Sequence, residues 1–119
     1  LDGYWPKHGA SEILYSRCEA LVEAAVQQMP ATDVTFFLDV APPVAYGRRT
    51  ADKSTPLVPY ECGLDPGLGQ ESFLAHQTAC REILRRWSDV YGWIRIDANR
   101  TLGEIREDAL LVLRELRQL

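Results

Sequence analysis

The apolar positions along the chain alternate between helix-like and strand-like stretches. Leu1 to Gly9 mixes Gly, Pro and aromatic residues and reads as a loop. From Ser11 to Met29, the residues Ile13, Leu14, Cys18, Leu21, Val22, Ala25, Val26 and Met29 recur at three- and four-residue spacing, which predicts one amphipathic helix. Pro30 ends that pattern. Val34 to Val40 is a run of consecutive apolar and β-branched residues and predicts a strand covered on both faces.

Pro42 and Pro43 suit a turn and the first position of a helix, so Val44 to Arg49 predicts a short helix. Thr50 to Gly69 has no period and carries Pro56, Pro59 and Pro66, which predicts a long exposed loop. Helical spacing returns over Gln70 to Asp89 through Phe73, Leu74, Cys80, Leu84 and Trp87, with Arg81, Arg85 and Arg86 left for an opposite or flanking face. After Gly92, Trp93 to Ile96 predicts a short strand and Asp97 to Arg100 a loop. Thr101 and Glu104 then have capping-box spacing ahead of a helix built on Leu102, Ile105, Ala109, Val112, Leu113 and Leu116.

This order predicts an α/β fold with a parallel sheet and flanking helices. Two strands are too few for the sheet that three long amphipathic helices would cover. With no initiator Met and an opening that falls within a motif, the expectation is one domain of which an amino-terminal part is absent.

Composition changes this picture little. The 119 residues are 46% hydrophobic and 25% charged, as in an ordinary globular protein. A net charge of -4, from 17 acidic and 13 basic residues, argues against a general nucleic-acid or membrane surface, so a phosphate site must be a local basic cluster. Cys18, Cys62 and Cys80 show no metal-ligand spacing and are odd in number, which predicts plain thiols and no disulfide framework. With no apolar span and no signal-like start, the expected location is cytoplasmic.

In open parallel sheets ligands sit beyond the carboxyl ends of the strands, which puts Asp39 and Asp97 on the functional rim, with Asp2 a candidate to share it. Each carboxylate has an alternative role, capping the turn or helix that follows. Arg48, Arg49 and Lys53 gather three cations beside a Gly- and Pro-rich loop, suited to clamping phosphates; solvated surface charge is the plainer reading. Glu61 can orient an arginine, accept a proton or fold the loop on itself. Tyr4 and Trp5 beside Lys7 and His8 suit either a base-stacking wall or a packed loop. Neither His8 nor His76 shows a nucleophile at useful spacing, which argues against hydrolase chemistry.

With these residues assembled, the pattern resembles thymidylate kinases among the P-loop nucleoside monophosphate kinases. The resemblance rests on Asp33 to Val40 followed by Pro43, Ala45 and Arg48, on a lid loop at about 48–69, on Ile96-Asp97-Ala98-Asn99, and on Asp2-Gly3-Tyr4. Two departures stand out. Gly3 replaces the arginine that grips the monophosphate in that family, with Lys7 a candidate substitute, and the phosphate cradle G-x-x-x-x-G-K-[ST] does not occur in these residues.

The resemblance implies a partial P-loop kinase-like fold, lacking its P-loop half, from an enzyme that passes the γ-phosphate of Mg2+-bound ATP to a nucleoside monophosphate, dTMP first. It implies Arg48 and Arg49 as catalytic residues, Asp2, Tyr4 and Lys7 at the substrate, and Lys53, Asp97, Ala98 and Asn99 at ATP, with no metal ligand in the chain. On its own the chain is expected to be inactive. Another nucleotide or deoxynucleoside kinase, or a non-catalytic nucleotide-binding or interaction domain, are the alternatives. The Ser11–Met29 helix is a candidate homodimer face, or simply covers its own sheet.

Overall fold

A computed structural model describes residues 5–16, 18–29, 33–63 and 68–118, with the side chains of Trp5, Lys7, His8 and Ser16 outside that description. It is an α/β protein, mostly helical, with one small parallel sheet. Helices α1 (Trp5–Ser16) and α2 (Glu19–Val26) precede strand β1 (Phe36–Asp39), helix α3 (Pro42–Thr50) and a 3-10 turn, Pro59–Cys62. Helix α4 (Gln70–Tyr91), strand β2 (Ile94–Asp97) and helix α5 (Leu102–Arg117) follow.

The opening of the chain corrects two expectations. Trp5 to Gly9 is helical, because Pro6 stands in the first turn of α1, where its missing N–H costs nothing. Gly9 serves packing: a Cβ there would come within 3.0 Å of the Trp87 ring. The helix expected over Ser11 to Met29 is two helices, with Cys18 non-helical at φ -106°, ψ 59° between them. In one straight helix Ile13 and Val22 would lie roughly 180° apart around the axis. The break lets Ile13, Val22 and Val26 reach one cluster with Ala10, Ile83 and Trp87.

Helix α4 packs against α1, α3, the 3-10 turn and β1, while α5 packs on β2. Phe73, His76, Cys80, Ile83 and Trp87 are buried at alternating three- and four-residue spacing along one stripe. Trp87 is 1% exposed, and its indole N–H donates to the Glu23 carboxylate at 3.1 and 3.2 Å. Gly92, at φ 67°, ends the helix in the left-handed conformation that glycine adopts at low cost.

Strands β1 and β2 pair in parallel with Phe36 opposite Ile94 and Asp39 opposite Asp97, so both strands end on their aspartates. The expected double cover of β1 is not found. Asp39 turns to α4 and Phe36 packs against the cluster that contains Ile105 of α5, but Leu38 between them is 50% exposed, and Val34 before the strand is 38% exposed. Beneath β2, Ile96, Ala98 and Ile105 form a second buried cluster. The expected capping box is present: the Thr101 hydroxyl accepts from the Glu104 amide at 3.2 Å. The apolar stripe expected for α5 is only partly used, since Leu102, Leu113 and Leu116 are exposed.

Candidate functional site

The carboxyl ends of β1 and β2 form a rim tied together across the sequence. The Ala98 amide donates to the Asp39 carbonyl at 2.9 Å, extending the ladder by one bond past the strands. The Ala41 amide donates to Asn99 Oδ1 at 2.7 Å. Arg48, on the last turn of α3, donates through Nη1 to the Ala98 carbonyl at 2.6 Å and through Nη2 to the Arg100 carbonyl at 2.7 Å. Arg100 in turn pairs with Asp108 of α5.

The two rim carboxylates differ. Asp97 caps its own turn, accepting from the Asn99 amide at 2.9 Å, and that bond is the first cause of a pKa below the usual carboxylate value. Asp39 is buried on the rim, and its carboxylate turns to helix α4 instead of capping the turn that follows. Its two oxygens accept from Arg81 Nε at 2.6 Å and Arg85 Nε at 2.9 Å, both on α4. Burial pushes this carboxyl up, and the two guanidiniums more than offset it, so its pKa lies below the ordinary value. Arg81 and Arg85 are one helical turn apart, and in sequence that spacing was the available signal that they act together.

The loop after α3 is exposed, as expected, and side-chain hydrogen bonds fold it on itself. Asp52 accepts from the Ser54 amide at 3.0 Å and the Thr55 hydroxyl at 3.0 Å, closing a local turn. Arg49 reaches across it: Nε donates to Glu61 Oε1 at 2.6 Å, and its remaining nitrogens reach the carbonyls of Thr55 and Pro56 at 2.9 Å each. Glu61 also accepts from the Val58 amide at 3.0 Å, so of the roles open to it, orienting an arginine and folding the loop back both occur. Cys62 is buried at 2% exposure, and Gly63 closes the turn at φ 68°.

A cavity of about 970 Å³ opens beside β1, between the strand, α4 and α5. Its wall is mixed: Phe36, Leu84 and Ile105 give apolar surface, while Asp39, Arg81 and the Arg49–Glu61 pair give charge. Among the residues predicted for a site, Arg49 lines this cavity, and Arg48, Lys53, Asp97, Ala98 and Asn99 do not. Lys53 is exposed on the loop. Asp2 and Tyr4 lie outside the described residues, as does the side chain of Lys7.

At another corner of the cavity α1, the 3-10 turn and α4 meet. Contrary to the sequence reading, His76 does have a nucleophile at useful spacing, because residues four apart on a helix share a face. Cys80 Sγ lies 3.5 Å from His76 Nε2. Tyr15 donates to the Tyr60 carbonyl at 2.7 Å and stacks on the His76 ring. Burial lowers the pKa of His76 and raises that of Tyr15, which keeps both neutral near pH 7.

Among the described residues no group of three or more His, Cys, Asp or Glu gathers as a metal site, and no helix is long and apolar enough to cross a membrane. Compared with known protein families and with curated proteins, the chain matches none.

Proposed function

We propose that this chain forms the rim and lid of a thymidylate-kinase-like phosphotransferase domain, in which a nucleoside monophosphate, dTMP first, takes the γ-phosphate of ATP. One observation supports this most. The two stretches that carry the resemblance, Asp33 to Arg48 and Ile96 to Asn99, are far apart in sequence but form one continuous rim through the bonds of Arg48 and Asn99. Ligands of parallel sheets bind beyond such strand ends.

The residues present fit one end of ATP better than the other. Asp97 to Arg100 is a loop held on both sides, with Asp97 and Asn99 exposed, and it would meet the adenine. Among the described residues the triphosphate finds no equivalent arginine pair, because the guanidiniums of Arg48 and Arg49 are committed to protein oxygens. In this reading Arg48 positions the adenine loop and Arg49 holds the lid loop. They would reach a transferred phosphate only if the loop rearranged. Bound ATP with Mg2+ would supply the transferable phosphoryl group, and the phosphate cradle must come from sequence outside these residues.

A coupled kinase assay on the full-length gene product, with dTMP, dUMP, AMP and thymidine side by side, tests the reading. Phosphorylation of dTMP ahead of the others is expected, and the 119-residue chain alone should give no turnover. Absence of transfer to all four acceptors would sink the proposal; preference for thymidine would move it to a deoxynucleoside kinase.

A further inference from the structure

We propose that Cys80 and His76 form a covalent modification site at the cavity, with Cys80 the nucleophile and His76 the base, for a small uncharged carbon electrophile such as an α,β-unsaturated carbonyl compound. The inference is independent of the kinase reading. Both residues line the cavity, 8–9% exposed, and their reactive atoms are 3.5 Å apart. Because they are one turn apart on the rigid helix α4, that approach is fixed by backbone geometry.

The surroundings suit proton transfer from sulfur to nitrogen. Tyr15 lies 3.4 Å from the same His76 Nε2 and donates its own proton to the Tyr60 carbonyl; in the tautomer with Nε2 unprotonated, Cys80 S–H has the ring nitrogen as an acceptor. Burial lowers the pKa of His76, which leaves the ring neutral near pH 7, so the proton is taken up in step with sulfur attack and no resting ion pair is required. The Ser11 hydroxyl, 3% exposed and 4.0 Å from Cys80 Sγ, can donate to a developing thiolate. Phe73 and Leu84 give apolar lining for the carbon skeleton of such a ligand, and Gln77 and Arg81 are polar groups in the same wall for its carbonyl oxygen.

The step balances without an oxidant. His76 Nε2 takes the thiol proton as sulfur attacks the β-carbon; the carbon–carbon π pair moves to the α-carbon as enolate, which then recovers the proton from His76. One S–C and one C–H bond form, while one S–H bond and one π bond break.

The test uses the full chain and N-ethylmaleimide as probe, with the labelling rates of Cys18, Cys62 and Cys80 followed separately by peptide mass spectrometry. Cys80 should label at least about tenfold faster than the buried Cys62, and His76→Gln should slow Cys80 about tenfold while leaving the exposed Cys18 unchanged. The Cys80–Cys62 comparison needs no variant, so a misfolded His76→Gln chain would not remove the test. Equal rates at Cys80 and Cys62 in the unmodified sequence, or a folded His76→Gln chain whose Cys80 labels as fast as before, overturn the proposal.

Discussion

The strand rim and the helical layer around Trp87 are held by different forces. Ala10, Ile13, Val26, Ile83 and Trp87 pack as an apolar cluster, which rewards burial in any arrangement that fits. The apolar cluster at the rim is small, Ile96, Ala98 and Ile105, and the rim is otherwise fixed by directional bonds: Arg48 to two carbonyls, Asn99 to Ala41, and the buried Asp39 to two arginines. Burial supplies stability in the first region. In the second, hydrogen-bond geometry supplies position, which is what a ligand-binding edge needs.

The sharpest way to break this contrast is Trp87→Ala. Removing a side chain that is 1% exposed should cost about 3–5 kcal/mol in chemical denaturation, more than any rim substitution. A cost below that of the rim variants would show that the helical layer is not the main source of stability.

Asp39→Asn should come next, at about 2 kcal/mol, less than for a fully buried pair because water still reaches both guanidiniums. Since Asp39 has a lowered pKa in the fold, its contribution is complete above about pH 4 and is lost as pH falls through the folded value. The asparagine variant should therefore lose less stability than the parent chain between about pH 4 and pH 2. Identical acid profiles would remove the ion pair from the account.

Gly63→Ala should cost about 1–2 kcal/mol, since it combines a left-handed backbone with a Cβ only 3.2 Å from His76 Nδ1. Its measured signature is a lower melting temperature together with a shifted His76 side-chain resonance. Stability unchanged by the substitution would mean that the turn relaxes freely and does not press on the helix.

Arg48→Ala should cost about 1 kcal/mol globally while speeding amide exchange locally over Asp97 to Arg100. Exchange that rises everywhere alike would make Arg48 part of the general packing. The smallest effect concerns His76. Its pKa is lowered in the fold, so stability is complete above about pH 6.5 and declines as pH drops below the unfolded value. His76→Gln should flatten that decline, as read from denaturation midpoints between about pH 6.5 and pH 5.

Much of the element order was legible in the sequence, because punctuation is local. Pro42 and Pro43 open α3, Thr101 and Glu104 cap α5, and Gly92 ends α4. The helix boundary near Cys18 was not legible: the three- and four-residue spacing runs through it, and the break becomes necessary only once Ile13 and Val26 must meet the same Trp87. Gly9 misled for a related reason, since a glycine needed for close packing looks in sequence like one needed for a turn.

The candidate site divides in the same way. Residue types and short spacings marked the rim aspartates, the adjacent Arg48 and Arg49, and the loop that Glu61 folds. Those are decided within a few residues by strand ends, proline and local charge. The partner of each group was decided by tertiary structure: Asp39 takes arginines 42 and 46 positions away, and Arg48 takes carbonyls 50 and 52 positions away. A side chain's partner depends on which surfaces the core brings together, and that information is absent from any short window of the chain.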